Sequence, residues 1–301
     1  MGMATAIDEK TGRKFYLDDP DDLKPGEPLI FLLNLHGGGS VGAWQHAYFP
    51  AHDYRNRYRL VVATPSAATK EPMRRWVAEA DDEHLKNICE FVFAKYGKAN
   101  IKSFWLVGHS QGGMTSNRLL RTDYFADRVD GWLSLSGGRI GPTQRSDSFA
   151  PPPRPGQQAN ARPPFAPPPA EPHKADFSFI FAVGEHEIAG LPETSPWAEK
   201  YGAGARQRLA DIVDTEGGQI YDSSREGNST KGWGFKPGPG AAQIYVYPGA
   251  RDGRVIADIV RLNKGHTEGL EPKVTEEIIK LVAQEPGGKV RAMARAEAPA
   301  R

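Results

Sequence analysis

The sequence predicts an α/β domain: a mainly parallel, twisted sheet with helices on both faces. Three observations predict it. Short apolar runs recur at 29–35, 58–63, 101–107, 129–136 and 177–183, with helix-patterned stretches between several of them. Several of these runs are nearly continuously apolar rather than alternating, which is the pattern of strands covered on both faces. Most of the connections are short and rich in glycine, proline and aspartate.

Size and charge narrow the function classes. The chain has 301 residues, enough for one large domain, and it is read as a single domain over 1–301. A net charge of +1 offers no electrostatic case for nucleic acid or an anionic membrane. The single cysteine, Cys89, sits in an apolar helical stretch and excludes an internal disulfide framework. No apolar run approaches the ~18 residues of a membrane-spanning helix. The first residues carry no basic-then-apolar leader, so a cytoplasmic protein is expected, or a secreted one from which a signal has been removed.

Taken in order, residues 13–35 read as an N-terminal β-hairpin, with strands at 13–17 and 29–35 around a turn rich in Asp and Pro. The second strand runs into His36-Gly37-Gly38-Gly39-Ser40. After the strand at 58–63 comes a helix that opens near Asp81 and Asp82 and places Leu85, Ile88, Cys89, Phe91 and Val92 on one face. The strand at 101–107 leads into Gly108-His109-Ser110-Gln111-Gly112, and a helix follows at 114–120. Residues 151–172 contain ten prolines in twenty-two positions, which suits neither helix nor sheet. The surrounding insertion, 140–176, reads as a disordered loop or as a flap over the site. The strand at 177–183 ends in Gly184-Glu185-His186-Glu187. A helix is expected over 197–214, then a glycine-rich loop over 226–241 that holds Trp233 and Phe235. A hairpin over 244–262 leads to Gly265-His266-Thr267, and a last helix spans 273–284. The tail from 285 to 301 reads as fraying.

Strand, G-x-S-x-G and helix form the context of a nucleophile elbow, with Ser110 at its tip. A serine hydroxyl is a weak nucleophile and needs a base, usually a histidine oriented by a carboxylate. In hydrolases with this elbow the acid and then the histidine follow the serine along the chain. Of eight histidines, His266 alone lies beyond the candidate acids. Those acids are Glu187 and Glu185. The usual spacing, three residues past the strand-ending glycine, favours Glu187. The developing negative oxygen needs two donors. The N–H of Gln111 is one, and that of Gly38, or alternatively Gly39, is the other. Trp44, Trp233 and Phe235 are candidate pocket aromatics, with Tyr48 and Trp197 weaker ones. No metal or organic cofactor is needed for this chemistry.

These residues, in this order, resemble the α/β-hydrolase superfamily over nearly the whole chain. Within it the chain looks like the branch of polyhydroxybutyrate depolymerase-like, feruloyl and acetylxylan esterases. Three features carry that closer likeness: the start from Gly12 to Gly38, Trp76 followed by Asp81-Asp82, and Gly265-His266-Thr267 after a hairpin. The chain departs from the branch in its Glu acid, in Thr267-Glu268 where a Trp-Pro pair is common, and in the proline-rich stretch. The resemblance implies a serine carboxylic ester hydrolase acting on a small-molecule or oligomeric ester. The same triad would also serve an amidase or peptidase, and the fold can persist as a non-catalytic binding module.

Overall fold

The computed structural model describes residues 4–143, 171–223, 233 and 237–297. Its strands are β1 (Thr5–Asp8), β2 (Arg13–Asp18), β3 (Leu29–Leu35), β4 (Leu60–Pro65), β5 (Ile101–His109), β6 (Gly131–Leu135), β7 (Ser178–Gly184), β8 (Gln207–Arg208), β9 (Ile212–Val213), β10 (Ala241–Val246) and β11 (Ile256–Leu262). Its helices are α1 (Gly42–Tyr48), α2 (Arg55–Tyr58), α3 (Ala78–Tyr96), α4 (Gln111–Leu119), α5 (Asp123–Ala126), α6 (Pro196–Lys200), α7 (Pro272–Gln284) and α8 (Lys289–Glu297).

The strands join one sheet in the order β1-β2-β4-β3-β5-β6-β7-β11-β10-β8, with β9 also on β10. From β4 to β11 every neighbour is parallel, and β1, β2 and β10 add antiparallel margins. Every residue of β3, β4, β6 and β7 is buried, because apolar side chains pack on both faces. Alternate residues feed two separate cores. Phe31, Leu33, Phe104 and Leu106 meet Leu85, Ile88 and Val92 of α3 on one face. Ile30, Leu32, Trp105 and Val107 meet Ile278, Ile279 and Val282 of α7 on the other.

Three local expectations change. Residues 13–35 do not form one hairpin: β2 pairs with β1 and β4, and β4 lies between it and β3. The N-terminal hairpin is β1 with β2, turned at Gly12, whose φ is 70°. The fully apolar β3 takes parallel partners on both sides, while the half-polar β2 suits the margin. The helix expected over 197–214 is only α6, since Gly202 (φ 64°) and Gly204 interrupt it. The chain then supplies β8 and β9 to the edge of β10. The tail is not frayed over 289–297. There α8 buries Val290, and Lys289 Nζ donates to the carbonyls of Ala126 and Val129. Of the proline-rich insertion, 144–170 lies outside the described residues. Its far end is anchored in the core, where buried His173 accepts from Asn117 Nδ2 and packs on Phe177 and Trp197. Among the described residues no helix is long and apolar enough to cross a membrane.

Candidate active site

The elbow forms because β5 leaves the sheet within one residue and α4 starts at the next. Ser110 sits between them at φ 52°, ψ −119°, a sparsely populated conformation for a side-chain-bearing residue. Such strain costs about 1–3 kcal/mol and is held by its surroundings. The Ser110 N–H donates to Leu135 O of β6 at 2.9 Å, and Ser110 O accepts from Gly113 and Met114. The flanking glycines are required by contact. A Cβ on Gly108 would lie 2.1 Å from the Gly112 carbonyl carbon, and one on Gly112 would lie 2.3 Å from Leu35 O. The elbow is therefore wedged against the end of β3, which carries the glycine loop.

Ser110 and His266 line one cavity of about 600 Å³, together with Gly38, Trp44, Met73, Gln111, Trp233 and others. His266 lies on the loop after β11 and reaches Glu187 after β7, strands that pair directly in parallel. The His266 Nδ1–H donates to Glu187 Oε2 at 2.6 Å. The second carboxylate oxygen accepts from Ser136 Oγ at 2.8 Å and from Gly184 N–H at 2.9 Å. Glu185 turns away: its Oε2 accepts from the Asn263 N–H at 2.8 Å at an exposed position.

The histidine loop is pinned from below. Buried Arg261 pairs with Glu271 at 3.0 Å and donates to the carbonyls of Glu268 and Gly269. The Glu268 carboxylate accepts from the Gly265 N–H at 2.6 Å. His109, the residue before Ser110, donates from Nε2 to His266 O at 2.8 Å. Burial, reinforced by the neighbouring His266, pushes the His109 imidazolium well below the ordinary histidine range, so this ring is neutral. Tyr48, buried beneath it, stacks on Trp44 at 4.8 Å.

Of the two loop donors weighed in the sequence, Gly39 is committed elsewhere: its N–H donates to Arg74 O at 2.7 Å. Among the described residues, the N–H groups of Gly38 and Gln111 meet no protein acceptor, and both residues line the cavity. Gln111 also opens α4, whose N-terminal dipole favours negative charge there. Trp44 and Trp233 line the cavity, the latter edge-on to the His266 ring at 5.1 Å. Phe235 lies outside the described residues. Trp197 is a core residue, 1% exposed, with its indole N–H on Ile140 O. Sequence reasoning missed Ser136, which carries no motif of its own, and the bond from His109 to the His266 carbonyl. Among the described residues no group of three or more His, Cys, Asp or Glu could hold a metal ion.

No protein-family model and no curated protein matches the sequence. Solved structures do match. An acetyl xylan esterase from Aspergillus awamori superposes with a TM-score of 0.53 at 13% identity, over 93% of this chain and 100% of that one. An S-formylglutathione hydrolase from Agrobacterium tumefaciens matches more loosely, with a TM-score of 0.40 at 12% identity over 61% and 75%. At these identities the likeness speaks for the fold, and the first match carries it. A parallel sheet covered on both faces, a serine on the turn from β5 to α4 and that end-to-end superposition lead to one conclusion: the chain has the α/β-hydrolase fold.

Proposed function

We propose that the protein is a serine esterase. The observation that carries this reading is the 2.6 Å bond between His266 and Glu187 on a cavity that Ser110 also lines. With Nδ1–H held by the carboxylate, the imidazole keeps its Nε2 lone pair as the base. Ser110 Oγ attacks the ester carbonyl carbon and His266 Nε2 takes the hydroxyl proton. The carbonyl oxygen, now negative, is held by the N–H groups of Gly38 and Gln111. The intermediate collapses, and the alcohol leaves with the proton from His266. Water then attacks the acyl-enzyme, giving a proton to His266, which returns it to Ser110 Oγ as the carboxylic acid departs. A cavity of about 600 Å³ suits a small ester or one end of an oligomeric one.

A fluorophosphonate probe and a matched pair of ester and anilide substrates test this reading. The intact protein should be labelled and should cleave the ester, and Ser110→Ala should lose both. An intact protein that is neither labelled nor active would overturn it, and faster cleavage of the anilide than the ester would move the reading to an amidase.

A further inference from the structure

We infer that Trp76 is a positioning residue that sets the two oxyanion donors relative to each other; this rests on the esterase reading above. Three consecutive glycines, 37 to 39, form the loop that presents the Gly38 N–H. Glycine has the most backbone freedom to lose, yet an oxyanion donor is useful only if it is in place before charge develops. Something outside the loop must hold it.

Trp76 reaches both walls of the site. Its indole N–H donates to His36 O at 2.8 Å, at the start of the glycine loop. Its backbone N–H donates to Gln111 Oε1 at 3.2 Å, on the residue that supplies the other donor. The ring packs on His36 at 4.7 Å and is only 6% exposed. Two residues earlier, Arg74 O accepts from the Gly39 N–H. His36 completes the brace: its Nδ1–H donates to Gly37 O at 2.7 Å, and its Nε2 accepts from the Ala67 N–H at 3.0 Å. Burial pushes the His36 imidazolium down to about 4, which keeps this acceptor lone pair free at neutral pH.

Trp76 is itself anchored from behind. Asp81 Oδ2 accepts from the Val77 N–H, while Oδ1 accepts from the Ala68 N–H and pairs with Arg13 at 2.8 Å. The Trp76 side chain does not line the cavity, so it acts on the reaction through His36 and Gln111 rather than by touching substrate. The tryptophan and the first aspartate of the Trp76, Asp81-Asp82 pattern thus share one task, bracing the glycine loop against the elbow.

The test compares the full-length wild type with Trp76→Phe and with a chain carrying 3-benzothienylalanine at position 76, which keeps the ring size and lacks the N–H. Ser110→Ala runs in parallel. The readouts are kcat and KM on a short-chain p-nitrophenyl ester, inhibition by a trifluoromethyl ketone that forms a tetrahedral oxyanion adduct, inhibition by an uncleavable ether analogue of the substrate, and the melting temperature. Misplacing donors by a fraction of an ångström should lower kcat by about 10- to 100-fold and leave KM within about threefold. Trifluoromethyl ketone affinity should fall by a similar factor, with ether affinity unchanged. The benzothienyl chain should show the same split while melting near the wild-type temperature. Wild-type kcat in that chain, or an equal loss of ketone and ether affinity, would overturn the inference while leaving the esterase reading intact. Full turnover by Ser110→Ala would overturn the esterase reading and this inference with it.

Discussion

Replacing Glu187 with glutamine tests the site most sharply, because the surrounding donors dictate how the amide must sit. The Gly184 N–H can only donate, and it points at Glu187 Oε1 from 2.9 Å. In Glu187→Gln the amide oxygen therefore stays toward Gly184, and Ser136 Oγ continues to donate to it. The NH2 group then faces His266 Nδ1, where the carboxylate oxygen stood at 2.6 Å. An amide donor against Nδ1 forces that nitrogen to be the acceptor and places the ring proton on Nε2. On the esterase reading, His266 is then the wrong tautomer for taking the Ser110 proton. Such a reversal costs about 10⁴-fold in kcat, or about 5 kcal/mol of transition-state stabilisation. Glu185→Gln keeps an amide oxygen for the Asn263 N–H and loses only an exposed charge, so it should leave kcat within about twofold. Steady-state hydrolysis of an activated ester, with circular dichroism to check folding, reads both. Retention of more than a tenth of the activity in Glu187→Gln, or a comparable loss in Glu185→Gln, would refute this placement of the acid.

Three further outcomes follow from the packing. Gly112→Ala drives a methyl group to 2.3 Å from Leu35 O in a spot closed by backbone, so it should destabilise the fold by several kcal/mol, read as a large drop in denaturation midpoint. Glu271→Gln leaves Arg261 buried opposite a neutral amide and should cost about 3–5 kcal/mol, whereas a loss below 1 kcal/mol would show that the pair is dispensable. His36 has a folded pKa of about 4 against 6.5 unfolded, so the native state binds fewer protons. Its stability contribution is complete above pH 6.5 and is lost as the pH falls toward 4, on the order of 3 kcal/mol in all. Urea unfolding between pH 7 and 4 should fall more steeply for the wild type than for His36→Asn, and equal slopes would sink the assignment.

Much of the fold was readable because its strands are hidden on both faces. Continuous apolar runs such as 29–35 and 177–183 cannot be satisfied at a surface, and the heptad-like spacing in α3 points one face inward. The margins were not readable. The sequence alone does not say that β4 lies between β2 and β3, because consecutive strands are usually neighbours in a sheet and this pair is an exception. The helix expected after Trp197 gave way to β8 and β9, where the need of β10 for partners outweighed local propensity. The tail became α8 through contacts with the β5 side of the sheet and with the stretch ending at Val129, some 160 residues away.

By itself the sequence determined the fold class, the elbow at Ser110, and the chain order of Ser110, the two candidate acids and His266. Gly108 is dictated by local sterics, since a Cβ there would meet Gly112, whereas Gly112 is closed by Leu35 at the end of β3. Tertiary structure decided which glutamate stands at His266, that Gly39 is already engaged with Arg74, and that Trp76, Ser136 and His109 brace the groups around the cavity. Those choices turn on shifts of about an ångström in contacts between segments 35 to 157 residues apart. Hydrogen-bond strength falls steeply over that range, and chain order carries no such metric.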